Sequence, residues 1–225
     1  MVLARHSCPD PAPAGLFGCG SLRDGDGEPL RPGGLALTRE LVDLAGFRAG
    51  DRVVDVGCGL GASTQLLAER GVAAVGVDLV APHGAAAFVV ADAARLPFAD
   101  QSLDGVLAEC SLSLVEDRRQ TLAEWRRVLR RGGRLGLSDV YSRDGDEGRR
   151  IATRGALCAD AVAAGFHVER FEDRSAVLKA WAARFVFQHG SLDALWGAAG
   201  AGCKARLGYG LLIAVNTGAL ARAGA

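Results

Sequence analysis

The chain has 225 residues, 49% of them hydrophobic, which is enough to bury one large core at the upper end of the single-domain range. Lys+Arg and Asp+Glu number 26 each, and a formal charge of zero disfavours broad electrostatic binding to nucleic acid or an anionic membrane surface. The first fifteen residues carry Pro, Asp and His where a secretory signal needs an apolar stretch, and nowhere do eighteen apolar residues run together. A cytoplasmic protein without a membrane span is therefore expected. Six cysteines (Cys8, Cys19, Cys58, Cys110, Cys158, Cys203) are scattered without CxxC pairs, which points to reduced thiols and to neither a disulfide framework nor a structural zinc site.

Residues 1–34 are rich in Gly, Pro and Asp and cannot bury enough apolar area to order themselves alone, so they are expected to form a flexible arm or lid before a domain at 35–225. Leu37, Leu41 and Leu44 recur at helical spacing and Gly46 supplies a stop. Arg52 to Val56 is a β-branched run that ends in Gly57-Cys58-Gly59-Leu60-Gly61, and a helix is expected from Ser63 to Arg70. Further strands are predicted at Val72–Val77, Ala87–Ala91 and Leu103–Ala108, ending at Asp78, Asp92 and Glu109. A helix over Asp117–Arg130, with Leu122, Trp125, Val128 and Leu129 as its apolar stripe, is expected to stop at Gly132-Gly133 before a strand at Arg134–Val140. Helices at Ala156–Ala164 and Ser175–Phe187 and strands at His167–Glu172 and Tyr209–Val215 complete the chain. Strands alternating with helices imply parallel β-α-β units in an α/β domain.

Gly57-x-Gly59-x-x-Ala62, with an acid at Asp78 about 20 residues on, satisfies the nucleotide-binding fingerprint, in which glycines admit the ligand and the acid takes ribose hydroxyls. Asp55, two residues before the first glycine, would repel a pyrophosphate but attract an amino acid's ammonium. The strings VVDVGCGLGAS and VGVD, then ADAARLPF, SLDGVLAE and WRRVLRRGGRLGLSD, occur in the order found in class I S-adenosylmethionine-dependent methyltransferases, which residues 35–172 resemble. The resemblance implies a Rossmann-like, mainly parallel seven-stranded sheet with helices on both faces and an antiparallel last strand. It also implies S-adenosylmethionine as cofactor. Gly57, Cys58, Gly59 and Gly61 would surround the methionine moiety, Asp55 would support its amino group, Asp78 with Leu79 would hold the ribose, and Asp92 with Ala93 would meet the adenine. Only 14 residues separate Asp78 from Asp92, and Pro82-His83-Gly84 interrupts them, so the helix usual there is expected to shrink to a turn.

In such sheets the acceptor meets the residues after strands four and five, here Glu109-Cys110-Ser111 and Ser138-Asp139-Val140-Tyr141. Glu109 is a candidate general base or cofactor ligand, and Cys110 and Asp139 are candidate catalytic residues. Residues 109–143 are also similar to arsenite methyltransferases, which implies Cys110 as a metalloid ligand, with Cys158, Cys8 or Cys19 around a thiophilic acceptor. The thiol those enzymes carry after the glycine loop is missing here, where GLGAST stands. The plainer alternative for Cys110 is a small residue finishing a buried strand. Leu178, Trp181, Ala182 and Phe185 mark a core-facing helical stripe, and the Arg126–Arg134 cluster a solvated helix end. No histidine reads as a metal ligand. The function expected is methyl transfer to a small-molecule acceptor, a metalloid or a quinone-like or other organic compound. An NAD(P)-dependent oxidoreductase and a non-catalytic cofactor-binding protein are the alternatives.

Overall fold

The computed structural model describes residues 31–80, 87–144, 151–190 and 206–218. Helix α1 (Gly34–Ala45) forms because Leu37, Leu41, Val42 and Ala45 fall on one face and are buried, and Gly46, at φ 72°, closes it with its N–H on the Val42 and Asp43 carbonyls. Then follow β1 (Arg52–Val56), α2 (Ala62–Glu69), β2 (Ala73–Asp78), β3 (Phe88–Val90) and β4 (Leu103–Glu109). After one 3-10 turn at Leu112–Leu114 come α3 (Arg118–Val128), β5 (Leu129–Ser142), α4 (Arg154–Ala163), β6 (Phe166–Asp173), α5 (Ser175–His189) and β7 (Leu207–Asn216).

The strands make one sheet in the order β3-β2-β1-β4-β5-β7-β6. The first five are parallel, and β7 runs antiparallel to both β5 and β6. This is the expected sheet, with its last strand inserted rather than added at the edge. Strand order reverses between β1 and β4, and that reversal opens a crevice at the carboxyl ends of the strands. Alternate strand residues feed two cores. Val54, Val106, Leu135 and Leu212 pack with Leu122, Trp125 and Leu157 of α3 and α4. Val53, Leu107, Leu211 and Ile213 pack on the other face with Leu41, Leu67, Leu178, Trp181 and Phe185 of α1, α2 and α5.

One boundary differs from expectation. Helix α3 stops at Val128 and Leu129 is already extended strand, so Gly132-Gly133 lies within β5 and not at a helix end. The partners of β4 jump from Leu103↔Leu129 to Gly105↔Arg134, so the glycines sit in a bulge where Gly132 takes φ 78°. Leu129 serves the same core from the strand as it would from the helix, because it is fully buried in either case. The shortened crossover after Asp78 falls largely on residues 81–86, outside the described residues.

Candidate active site

Between β1 and α2 the chain turns through three left-handed glycines, Gly57 (φ 72°), Gly59 (φ 53°) and Gly61 (φ 80°), a path that residues with a Cβ rarely follow. The turn is tied to the neighbouring strand: the N–H groups of Gly57 and Cys58 donate to the Val77 carbonyl at 2.8 and 3.1 Å, and Gly59 N–H donates to Asp78 Oδ2 at 2.8 Å. Asp78 at the end of β2 therefore braces the loop while its carboxyl stays partly open. Asp55 lies beneath, 2% exposed, and accepts from Thr64 Oγ1 at 2.7 Å. Burial pushes its carboxyl up to about 7 against that bond. The Cys58 side chain turns inward over Gly76, where a Cβ would meet its sulfur at 2.7 Å, and burial raises its thiol. Cys58 thus faces the site with its backbone alone.

The rim of this crevice is apolar where a soluble surface would ordinarily be polar. Leu60 in the loop, Leu79 and Val80 after Asp78, and Val90 paired beside it are 42%, 69%, 63% and 58% exposed. A carboxylate for hydroxyls set among uncovered aliphatic side chains fits an adenosine, whose ribose is polar and whose base presents two flat faces. Asp92 is exposed at the same end of the sheet and accepts from Ala94 N–H at 2.8 Å, while the Ala93 carbonyl accepts from Trp125 Nε1 at 3.0 Å. These residues gather at one end of the sheet, and their chemistry fits the cofactor that the resemblance implies.

Glu109, ending β4, is buried in a network that the sequence does not show. Its carboxylate accepts from Ser63 Oγ at 2.6 Å and from Thr38 Oγ1 at 3.1 Å, and pairs with Arg31 Nη1 at 3.1 Å. Arg31 Nη2 also donates to Thr38 Oγ1 and Ser63 Oγ. The end of the N-terminal arm is thereby fastened into the crevice, while residues 1–30 of the expected lid lie outside the described residues. Ser63 and Thr64, directly after the glycines, were a legible signal for hydroxyls at the site; Arg31 and Thr38 had none, because their partner is 71 or more residues away.

Cys110 holds a left-handed backbone (φ 54°), uncommon for a side-chain-bearing residue, and its N–H donates to the Ser138 carbonyl at 2.8 Å. Its sulfur lies 3.0 Å from Tyr209 Oη, and Tyr209 in turn donates to Ser138 Oγ at 3.1 Å. Burial pushes the Cys110 thiol up to about 12, so it is held neutral. Tyr209 was missed, although a tyrosine between glycines in an otherwise aliphatic strand marks a hydroxyl needing a partner. Asp139 accepts from Ser113 N–H and Oγ at 2.8 and 2.7 Å and from Val140 N–H at 2.7 Å; these bonds pin the loop after β4, and burial pushes its carboxyl up to about 6.

The thiols expected around a metalloid are not brought together. Cys110 packs against the core of α1, α2 and α5, Cys158 against that of α3 and α4, and the sheet separates them. Cys8 and Cys19 lie outside the described residues. Among the described residues no group of three His, Cys, Asp or Glu side chains is placed to hold a metal, and no helix is long and apolar enough to cross a membrane.

Comparisons with known proteins agree with this geometry. The family described as "Methyltransferase domain" matches residues 54–137. The chain is 36% identical over 131 residues to methyltransferase GfsG of Streptomyces halstedii, covering 52% of this chain and 47% of that protein. It is 39% identical over 109 residues to a demethylmenaquinone methyltransferase of Beutenbergia cavernae, covering 45% of each. The chain thus spans about half the length of the curated relatives it matches. Among solved structures, the [4+2]-cyclase SpnF superposes with a TM-score of 0.65 at 27% identity, over 80% of this chain and 79% of that one. Haemonchus contortus phosphoethanolamine N-methyltransferase 2 in complex with S-adenosyl-L-methionine superposes with a TM-score of 0.66 at 17% identity, over 82% and 53%, a likeness of fold. The inserted antiparallel β7 also departs from the dinucleotide-binding strand order 3-2-1-4-5-6, which sets the oxidoreductase alternative aside. Glycine loop, strand order and family match converge: residues 54–137 match the methyltransferase-domain family and lie on a Rossmann-like sheet of the kind class I S-adenosylmethionine-dependent methyltransferases carry.

Proposed function

We propose that the protein transfers the methyl group of S-adenosylmethionine to an oxygen or ring carbon of a small organic acceptor, quinone-like in character. The observation that carries this reading is the convergence of the glycine turn, Asp78, the buried Asp55 and the uncovered Leu60, Leu79, Val80 and Val90 at one end of the sheet. The cofactor supplies an electrophilic methyl on a sulfonium. In this reading Gly57, Gly59 and Gly61 admit the methionine moiety, Asp55 supports its ammonium, Asp78 takes the ribose hydroxyls, and Asp92 with Ala93 meets the adenine.

The acceptor side favours positioning over proton transfer. Glu109 is committed to Arg31, Thr38 and Ser63, and Asp139 to Ser113 and Val140, so neither described carboxylate stands free as a base. Cys110 offers a neutral thiol on a strained backbone beside Tyr209 and contributes shape more than charge. An acceptor that ionises by itself, as hydroxyquinones and phenols do, needs only in-line placement and exclusion of water. The demethylmenaquinone methyltransferase relative supports that class. A neutral Cys110 remote from Cys158 does not support a metalloid.

A second reading has its own support: the [4+2]-cyclase SpnF carries this fold, so the frame by itself does not compel methyl transfer. Release of S-adenosylhomocysteine from a panel of hydroxyquinones, phenols, amines and arsenite, scored by mass spectrometry, decides between them. Turnover on a quinone or phenol is expected. Turnover on arsenite alone overturns the acceptor class, and cofactor binding without turnover on any acceptor favours the non-transferring reading.

A further inference from the structure

We infer that the Arg126–Arg134 cluster builds a binding site for a small phosphate-class anion at the end of the sheet opposite the crevice. Five arginines fall in this stretch, and the structure divides them. Arg127 pairs with Glu124 at 2.8 Å and with Asp100 at 2.6 Å, Arg130 pairs with Asp104, and Arg134 pairs with Glu169. Arg126 and Arg131 have no carboxylate partner among the described residues. Both line one cleft of about 260 Å³, enclosed by the end of α3, the turn before β4 and the end of β7. Arg126 Nε is buried there without a hydrogen-bond partner among the described residues. A buried N–H on a cation left unpaired is costly, and proteins rarely keep one unless something completes it. A merely solvated helix end would not gather its two unpaired arginines at one cleft.

The acceptors nearest these two guanidinium groups are already taken. The carbonyl end of α3 would repel an anion, but Asn216, 4% exposed, covers it. Its Nδ2 donates to the Leu129 carbonyl at 2.7 Å and the Arg130 carbonyl at 3.2 Å, and lies 3.4 Å from that of Arg126. Its Oδ1 accepts from Gly218 N–H at 3.0 Å. Gly218, at φ 77°, lets the Arg131 stem lie against it, since a Cβ there would come within 3.1 Å of Arg131 Cδ. Asp100 lines the cleft but is held by Arg127, so three arginines face one aspartate and the lining keeps an excess of positive charge. Gln101 and Asn216 add amides, and no aliphatic or aromatic side chain lines the cleft. A lipid tail or a planar ring therefore has nothing to pack on, and the volume falls below the roughly 300–1,000 Å³ of an ordinary organic-ligand pocket. A tetrahedral dianion suits both limits, because planar guanidinium groups donate in pairs to phosphate oxygens. Bound there, it would tie the end of α3 to the end of β7.

Calorimetry and thermal unfolding of the full chain test this, with inorganic phosphate and glycerol 3-phosphate as probes and ionic strength held constant with sodium chloride. Saturable binding is expected, with an unfolding midpoint that rises with probe concentration. The tighter probe tells a free phosphate from a phosphate ester, and binding of either supports the site. Changing Arg126→Gln and Arg131→Gln together is expected to weaken that binding by about tenfold or more, while affinity for S-adenosylhomocysteine stays within about twofold of wild type because the crevice lies at the other end of the strands. Arg119→Gln, at the opposite end of α3, is expected to keep wild-type phosphate affinity. Absence of saturable binding to the wild type overturns the inference, as does binding unchanged in the double variant. An equal loss in Arg119→Gln also overturns it, since that is the mark of general charge attraction. If the double variant does not fold by circular dichroism, Arg131→Gln alone, at an exposed position, carries the test: a loss of about threefold or more is expected, and unchanged affinity overturns the site.

Discussion

Asp78 combines two tasks, because one carboxylate oxygen fixes Gly59 N–H while the carboxyl remains partly open at the crevice. Asp78→Ala removes a charge-assisted bond within the loop together with those proposed to the ribose, each worth about 1.5–3 kcal/mol, so affinity for S-adenosylhomocysteine should fall by about tenfold or more. Calorimetry checks this, and unchanged affinity would remove the ribose assignment. Cys110 invites a different experiment. A left-handed φ costs a non-glycine residue about 1 kcal/mol, and the thiol's contact with Tyr209 offsets a similar amount. Cys110→Gly should therefore unfold in urea within about 1 kcal/mol of wild type, whereas Cys110→Val, β-branched in that conformation, should lose about 2 kcal/mol or more. A valine tolerated without loss would show that the turn after β4 is not held by backbone conformation.

Elements hold the site through contacts that cross between them. Trp125 of α3 is fully buried, and its indole N–H reaches back to the Ala93 carbonyl in the turn that carries Asp92. Trp125→Phe loses that bond and part of the packing, and is expected to cost about 1–3 kcal/mol in denaturant unfolding and to weaken adenosine binding by loosening the turn. On β7, Gly208 and Gly210 lie beneath the rings of Tyr141 and Phe171, which meet edge-on at 5.5 Å. A Cβ at Gly208 would sit 2.4 Å from the Tyr141 ring, and one at Gly210 would sit 2.3 Å from Phe171. Either glycine changed to alanine should cost about 1–3 kcal/mol, because β7 cannot retreat between two paired strands. A thermal unfolding midpoint left unchanged would refute that packing.

At the scale of the whole molecule, buried carboxyls give stability a particular pH dependence. Burial raises Asp55 to about 7 and Asp139 to about 6, so folding favours their neutral forms. That contribution is complete below the ordinary carboxyl range and is lost as pH rises through about 6 and 7. Glu124, held low by Arg127, and Asp173, held low by Ser175, act in the opposite sense, and their contribution is lost as pH falls below the ordinary range. The urea midpoint is therefore expected to rise from pH 8 to about pH 5 and then to fall in stronger acid. Asp55→Asn should flatten the upper limb and raise stability at pH 8, on the order of 1 kcal/mol or more, while weakening cofactor binding. An upper limb unchanged by Asp55→Asn would mean that this carboxyl is ionised in the fold at neutral pH.

Much of this was legible in the sequence because the signals are local. The period of Leu37 and Leu41, the β-branched run before Gly57, and the acids at the ends of successive strands each lie within a few residues of what they specify, and together they indicated the parallel core, the glycine turn and Asp55, Asp78 and Asp92. The left-handed turn in particular follows from glycine chemistry alone. Tertiary structure decided what depends on distant partners. It started β5 at Leu129, where the bulge against β4 gives the strand a partner that no local periodicity reveals. It placed β7 between β5 and β6, and by putting Cys110 and Cys158 on opposite faces of the sheet it kept apart two of the thiols that the resemblance to arsenite methyltransferases had implied around one acceptor. It also brought Arg31 to Glu109 across 78 residues of chain, turning a residue of a glycine-rich arm into a buried cation and a candidate base into its anchor. Electrostatic pairing in a buried crevice acts through space, and a sequence records only neighbours along the chain.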